Sequence, residues 1–189
     1  MYEGKLTRLR RLEPKDVSVI LPLWNNYKLR QYLPTPLPNS YDELVKLIES
    51  VNDAFTTRKG FTFGIEALDT NSLIGIIDLV HISWISRSAE VGLFAIFNPE
   101  YWSKGYGSDA MIVLLDFAFS VLDLHNVYLS VVAFNERAIN VYKKLGFMIQ
   151  GKLREFAFRN GKRYDVAFMD ILKSEFLEKY GIQAKKGEI

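Results

Sequence analysis

A chain of 189 residues, 49% of them hydrophobic, can bury one substantial core and is read as a single domain over 1–181 with a frayed tail over 182–189. A formal net charge of +2 with 24% charged residues excludes a strongly basic nucleic-acid binder, and the lack of cysteine excludes disulfides, thiolate metal ligands and a cysteine nucleophile. His81 and His125 are too few for a multi-histidine site, so no metal is expected, and the absence of an apolar leader or a 20-residue apolar run points to a cytoplasmic protein with no membrane partner.

In chain order, residues 5–12 predict a short strand. Pro14 and Asp16 then open a helix toward Tyr27, with Pro22 an irregularity inside it. Pro34, Pro36 and Pro38 make a loop. Ser40 with Glu43 three residues on is a capping box, so a second helix starts there and runs to about Phe55. Residues 61–67 and 72–83 read as strands joined by a turn at Asp69-Thr70-Asn71, and a further strand over 89–97 ends near Asn98-Pro99. A strongly apolar helix follows over 108–122, then a strand over 126–134 and a helix over 136–145 with Gly146 as its left-handed cap. Segments 147–158 and 162–172 flank Asn160-Gly161, the pair expected of a tight hairpin, and a short helix over 174–180 closes the pattern. This order predicts an α/β fold of the α+β type: a central mixed, mostly antiparallel sheet of six to seven strands flanked by helices.

Two stretches carry chemistry. In Trp102-Ser103-Lys104-Gly105-Tyr106-Gly107-Ser108, the glycines let backbone approach a ligand, and the helix that follows begins with unpaired amides and positive dipole density. Lys104 adds charge, so the loop can cradle a phosphate or pyrophosphate. A plain glycine turn before a core helix has the same appearance. Gly105-x-Gly107-x-x-Ala110 also satisfies the relaxed dinucleotide fingerprint. That fingerprint belongs in the turn directly after a strand, with an acidic residue at the end of a second strand; here Asp123 precedes its strand. In the second stretch Asn135 is a favourable N-cap, Ala138 keeps the helix surface low, and Tyr142 projects two turns on from a similar face. A capped amphipathic helix with a packed tyrosine is the plainer account of it.

Taken together, aromatic-x-Lys-Gly-Tyr-Gly over 102–107 and Asn135-x-x-Ala138-x-x-x-Tyr142-x-x-x-Gly146-Phe147 resemble the acetyl-CoA motifs of the GNAT superfamily of N-acetyltransferases. The resemblance extends through Arg87-Ser88-Ala89-Glu90 and Asn160-Gly161 and covers nearly the whole chain. Within the superfamily it is nearest to spermidine acetyltransferases and to Rim-type enzymes that acetylate ribosomal-protein N-termini. It implies acetyl-CoA as cosubstrate, with Ala95, Ile96 and Phe97 pairing with the pantetheine arm. Trp102, Ser103, Lys104, Gly105, Tyr106, Gly107 and Ser108 would bind the pyrophosphate, and Asn135, Ala138, Tyr142 and Lys144 would line the cofactor's other side. Ser103 stands where many relatives have glycine, and the stretch from Glu90 to Trp102 is longer than in close relatives.

The resemblance also implies direct transfer from the thioester to an amine, a protein N-terminus or a polyamine or other small amine. A backbone amide near 95–97 would stabilise the oxyanion, Tyr142 would protonate the leaving thiolate, and Glu90 would be the base, directly or through a water. Glu90 is equally a surface carboxylate on an alternating strand. Spermidine acetyltransferases carry acidic residues between Tyr32 and Tyr41, where this chain reads Pro34-Thr35-Pro36-Leu37-Pro38-Asn39; only Glu43 remains, and His81 replaces a glutamate. The alternatives are a non-catalytic acetyl-CoA sensor or interaction module of the same fold and, further off, a nucleotide-dependent oxidoreductase. Arg8, Arg10 and Arg11 read as a solvated face and not as a nucleic-acid site. Trp84 and Ile85 leave a homodimer or higher homo-oligomer open.

Overall fold

The computed structural model describes residues 2–30, 32 and 37–184. Of the proline loop, Pro34 and Pro36 lie outside the described residues, as do 185–189 of the tail. The chain forms two compact units: one runs through Ile82 and resumes over Val91–Leu114, and the other takes Ser83–Glu90 and everything from Leu115 onward.

In the first unit, β1 (Tyr2–Glu3), β2 (Thr7–Arg11), β3 (Phe61–Ala67) and β4 (Ser72–Ser83) pair antiparallel in that order, and β6 (Phe94–Ile96) also pairs antiparallel with β4. The seven residues of β3 are buried without alternation, as a strand covered on both faces must be. Against these strands lie a 3-10 turn (Pro14–Asp16), α1 (Val17–Trp24), α2 (Tyr27–Arg30) and α3 (Tyr41–Thr56). Val17, Ile20, Trp24, Leu44 and Ile48 share a core cluster with Ile76 and Phe97. The capping box forms as expected: Ser40 Oγ accepts from Glu43 N at 3.2 Å, and the Glu43 carboxylate accepts from Ser40 N at 2.7 Å. Pro22 is accommodated near the end of α1, but the helix stops at Trp24 and α2 resumes after Asn25-Asn26, so the single helix expected to Tyr27 is two.

The strand expected over 89–97 is also two, β5 (Ser88–Val91) and β6. The Asp78 carboxylate accepts from Gly92 N at 3.0 Å and Leu93 N at 2.8 Å, so both amides turn to a side chain and leave the ladder. With that break and the two-residue β1, nine strands are described where six to seven were expected.

In the second unit, β9 (Lys162–Leu172) lies between β7 (Asn126–Val132) and β8 (Met148–Arg159), antiparallel to both, and β5 neighbours β7. Asn160 and Gly161 adopt φ of 50° and 75°, the two positive values a type I′ hairpin turn requires. Running from the first unit into the second, the helix expected over 108–122 is α4 (Tyr106–Asp116), starting two residues earlier and ending in a π-turn over Phe117–Val121. α5 (Glu136–Leu145) ends at Gly146 with φ of 111°. α6 (Lys173–Ala184) outruns the 174–180 expected, so the first residues assigned to a frayed tail are helical. Its Phe176 is buried, with ring centroid 5.4 Å from Phe119.

Candidate active site

The glycine loop belongs to the first unit, and its shape follows from three local anchors. Asn98 caps a 3-10 turn over Pro99–Tyr101, accepting from Glu100 N at 3.0 Å. Trp102 then folds its indole back, and Nε1 donates to Ile96 O at 2.8 Å, tying the loop to the end of β6. Ser103 and Gly105 both take left-handed backbone, with φ of 59° and 93°. Gly105 tolerates this freely; Ser103 carries the Cβ penalty at the position where a glycine would be unstrained.

Asp109 N donates to Gly105 O at 2.9 Å as the first bond of α4, which puts Gly107 and Ser108 inside the first turn. Among the described residues, the amides of Tyr106, Gly107 and Ser108 meet no acceptor. A Cβ at Gly107 would stand 3.1 Å from the Phe94 ring, so this surface is low by necessity. Ser103, Lys104 and Gly105 are exposed beside it. Asp109, a carboxylate in that same first turn, is spent elsewhere: it accepts from Lys5 N, Leu6 N, Thr7 N and Thr7 Oγ1 at 2.7–3.0 Å. The Tyr106 hydroxyl donates to Asp69 at 2.7 Å, a bond that raises the phenol's pKa, and its ring meets Tyr101 edge-on at 5.0 Å.

Of the three strand residues proposed for the pantetheine arm, the amides are not equivalent. Phe97 N already donates to Ile74 O at 2.8 Å, and Ala95 is paired with Ile76 across the same edge. By alternation Ile96 points its amide to the other edge, where β6 has no partner strand among the described residues. Of the three amides, that of Ile96 alone faces away from β4.

In the second unit, the Asn135 side chain accepts from Ala138 N at 3.2 Å, so its oxygen is committed as an N-cap. Tyr142 is buried, its ring centroid 5.8 Å from Phe147, while Lys144 is exposed and Ala138 half-buried. Burial pushes the Tyr142 phenol well above its ordinary range, which keeps it protonated and also makes it a weaker acid than a solvated tyrosine. On β5, Ala89 and Val91 are buried and Glu90 half-buried, the expected alternation. Sequence reasoning passed over Tyr128, whose phenol is raised first by burial and then by the negative charge of Glu90. An aromatic on the strand after the candidate base was the available signal.

Other singled-out residues take structural places. Glu43 is held by the α3 cap, and its carboxyl lies below the usual range because Ser40 N donates to it. His81 is exposed at φ of 48° in β4. The arginine run is not a solvated face: Arg8 and Arg10 both pair with Glu66, and Arg10 also with Asp16 at 2.8 Å. Arg11 bonds to Asn52 and lies over the Phe55 ring. Ile85 is 98% exposed, which removes it from any core. Among the described residues no group of three or more His, Asp or Glu could hold a metal ion, and no helix is long and apolar enough to cross a membrane.

Comparison with known proteins agrees with the motifs. The profile of the acetyltransferase (GNAT) domain matches residues 7–148. A spermidine N(1)-acetyltransferase of Vibrio cholerae is 36% identical, with 90% of this chain aligned to 95% of that protein. An N-acetyltransferase of Bacillus subtilis whose name links it to the ribosome is 29% identical over 89% of this chain and 92% of its own length. The crystal structure of the Vibrio cholerae spermidine enzyme with CoA and spermine superposes with a TM-score of 0.80 at 35% identity, covering 90% of this chain and 98% of that one.

Proposed function

This chain belongs to the GNAT acetyltransferase family, and from that premise we propose that it moves an acetyl group from acetyl-CoA to a primary amine by direct attack. One observation carries the reading: α4 begins on three amides without acceptors among the described residues, behind two left-handed residues and beside Lys104, a cradle suited to a pyrophosphate. We assign Trp102 to Ser108 to that group, Ala95 to Phe97 to the pantetheine arm, and Asn135, Ala138, Tyr142 and Lys144 to the remainder of the cofactor. One acetyltransferase domain over 1–181 is part of the proposal, supported by a family match that spans residues of both units.

In the transfer, the amine nitrogen bonds to the thioester carbon and the C–S bond breaks. The Ile96 amide donates to the oxygen on which charge builds. Glu90 takes the proton the amine loses, and Tyr142 returns one to the thiolate, whose conjugate acid titrates near ~8.5. Because burial raises Tyr142, full transfer of its proton is uphill, and what the buried phenol supplies first is a charge-assisted hydrogen bond to the departing thiolate.

The acceptor is a primary amine, a small amine or a protein N-terminus. The names of the relatives favour a polyamine. Against a polycation, residues 31–39 contain no carboxylate, and Glu43 is engaged in its cap. We place the enzyme in the cytoplasm and as a homo-oligomer; for the latter, the support is exposed apolar side chains along β8, Phe156 at 67% and Phe158 at 58%.

CoA-thiol release read with a thiol-reactive dye tests this directly, because a chain without cysteine contributes no background. Spermidine and peptides with free Ser, Ala or Met N-termini form the panel. Turnover supports the enzyme; acetyl-CoA binding with no turnover of any amine leaves the sensor.

A further inference from the structure

Two carboxylates attach to the first turn of α4, the end assigned above to an anion. Asp109 belongs to that turn and is held by the backbone of residues 5–7. Asp69 comes from elsewhere: it lies in the turn between β3 and β4 and accepts from the Tyr106 hydroxyl at 2.7 Å, across 37 positions of sequence. A negative charge at that place works against a bound anion, so its presence calls for another reason.

The loop before α4 does not fix its own shape. Among the described residues, Ser103, Lys104 and Gly105 donate no backbone hydrogen bond, and neither do Tyr106, Gly107 and Ser108. Ser103 and Gly105 are both left-handed, and at Ser103 that conformation carries the Cβ penalty. A segment of this kind keeps its conformational freedom unless it is tied down from outside, and ordering it only on binding would weaken the complex.

Two ties come from one turn. Ahead of the loop, the Tyr101 hydroxyl meets Thr70 Oγ1 at 3.3 Å; behind it, Tyr106 donates to Asp69. The two rings close the base of the loop edge-on, with centroids 5.0 Å apart. The bond to Asp69 is charge-assisted and raises the Tyr106 phenol above its ordinary range, so that it remains a donor near neutral pH. The turn is itself fixed. Leu68 N donates to Leu6 O at 3.0 Å, Arg8 Nη2 donates to Asn71 Oδ1 at 3.4 Å, and β3 and β4 stay paired up to Ala67 and Ser72. Leu6 also backs the loop, since a Cβ at Gly105 would stand 3.3 Å from its side chain. All of these groups belong to the first unit.

We infer that Asp69 and Thr70 are positioning residues for acetyl-CoA: through Tyr106 and Tyr101 they hold the loop over 102–108 in its binding shape before the cofactor arrives. This rests on the acetyltransferase reading above. Asp69 serves as an acceptor and not as a charge, so a neutral acceptor of the same shape can replace it. The Tyr106 side chain, once anchored, sets the direction of its own amide and of the helix start that follows.

The test separates affinity from turnover. Asp69→Ala should raise the Kd for CoA, read by calorimetry, and the KM for acetyl-CoA by about tenfold, with kcat and the KM for the amine within about twofold of wild type. Asp69→Asn keeps the acceptor and should bind CoA within about twofold of wild type. Tyr106→Phe removes the other half of the same bond, so its Kd should match that of Asp69→Ala, and the double variant should bind no more weakly than either single one. Thr70→Val, on the longer bond, should raise the Kd by about threefold. Melting curves show that each variant is folded at the temperature of the titration. Wild-type affinity in Asp69→Ala, a fall in kcat as large as the rise in KM, a double variant whose losses multiply, or an Asp69→Asn protein as weak as Asp69→Ala would each overturn the proposal. The wild-type titration separates it from the reading beneath it: absent CoA binding defeats the acetyltransferase assignment, while binding that Asp69→Ala and Tyr106→Phe leave untouched defeats only the positioning roles.

Discussion

The two units start their motif-bearing helices in opposite ways. In the second unit α5 is finished by its own sequence: Asn135 takes the Ala138 amide, and Gly146 closes the other end. In the first unit α4 leaves three amides open, and the one acidic side chain in its first turn is turned to the β1–β2 connection. A capped helix needs nothing more for stability. An open helix end carries a standing electrostatic demand that a ligand can meet, so on the reading proposed above α4 would bind through its end and α5 through its side chains.

The largest effect should come from closing the open end. Gly107→Val places branched carbons against Phe94 and over the free amides, and should raise the KM for acetyl-CoA by about 100-fold, ~2.7 kcal/mol, with the melting temperature reporting that the fold survives. On the capped helix, Tyr142→Phe should lower kcat by about 100-fold while acetyl-CoA affinity, read by calorimetry, changes little. Equal losses in both would make Tyr142 a packing residue and erase the division of labour between the helices.

Acid should distinguish the units next. Burial raises the carboxyls of Asp16 and Glu66, but the hydrogen bonds from Arg10 and Arg8 outweigh it and hold both below their usual values. A group depressed in the folded state stabilises above its unfolded pKa, near ~4, and that contribution is lost as pH falls through the folded value. The first unit should therefore lose amide protection before the second as pH drops below about 4, seen by hydrogen exchange. Uniform loss would show that the pairs contribute little.

Smaller still, Asn135→Ala should cost about 1 kcal/mol in denaturant unfolding, the usual worth of a side-chain cap. Smallest is Ser103→Gly, which removes the Cβ from a left-handed residue and should add about 1 kcal/mol at most, ~3 °C in Tm.

What could be read from the sequence follows the range of the forces. α3, α5, β3, β4 and the Asn160-Gly161 hairpin were legible to the residue or nearly so, because each is punctuated by side chains within four positions of its end. The break between β5 and β6 was not, since the carboxylate that makes it is Asp78, 14 positions back from Gly92. The start of α4 was missed by two residues because no side chain among the described residues accepts from its first amides; the helix begins where a left-handed glycine allows. In the site, the glycine loop and α5 were readable as motifs. The inequality of the Ala95, Ile96 and Phe97 amides was not, because it depends on what faces a group across the fold.

Asp109 binds four donors of the β1–β2 connection from a distance of 102–104 residues along the chain. During synthesis, residues 5–7 leave the ribosome early but wait more than half the chain for the carboxylate that orders their amides. The amides of residues 5–7 and the start of α4 therefore share a contact that forms only when both ends of that long loop have met. The proposed cradle is thus tied to completion of the unit: a nascent or truncated chain that ends before Asp109 has neither the helix start nor the clasp that steadies it.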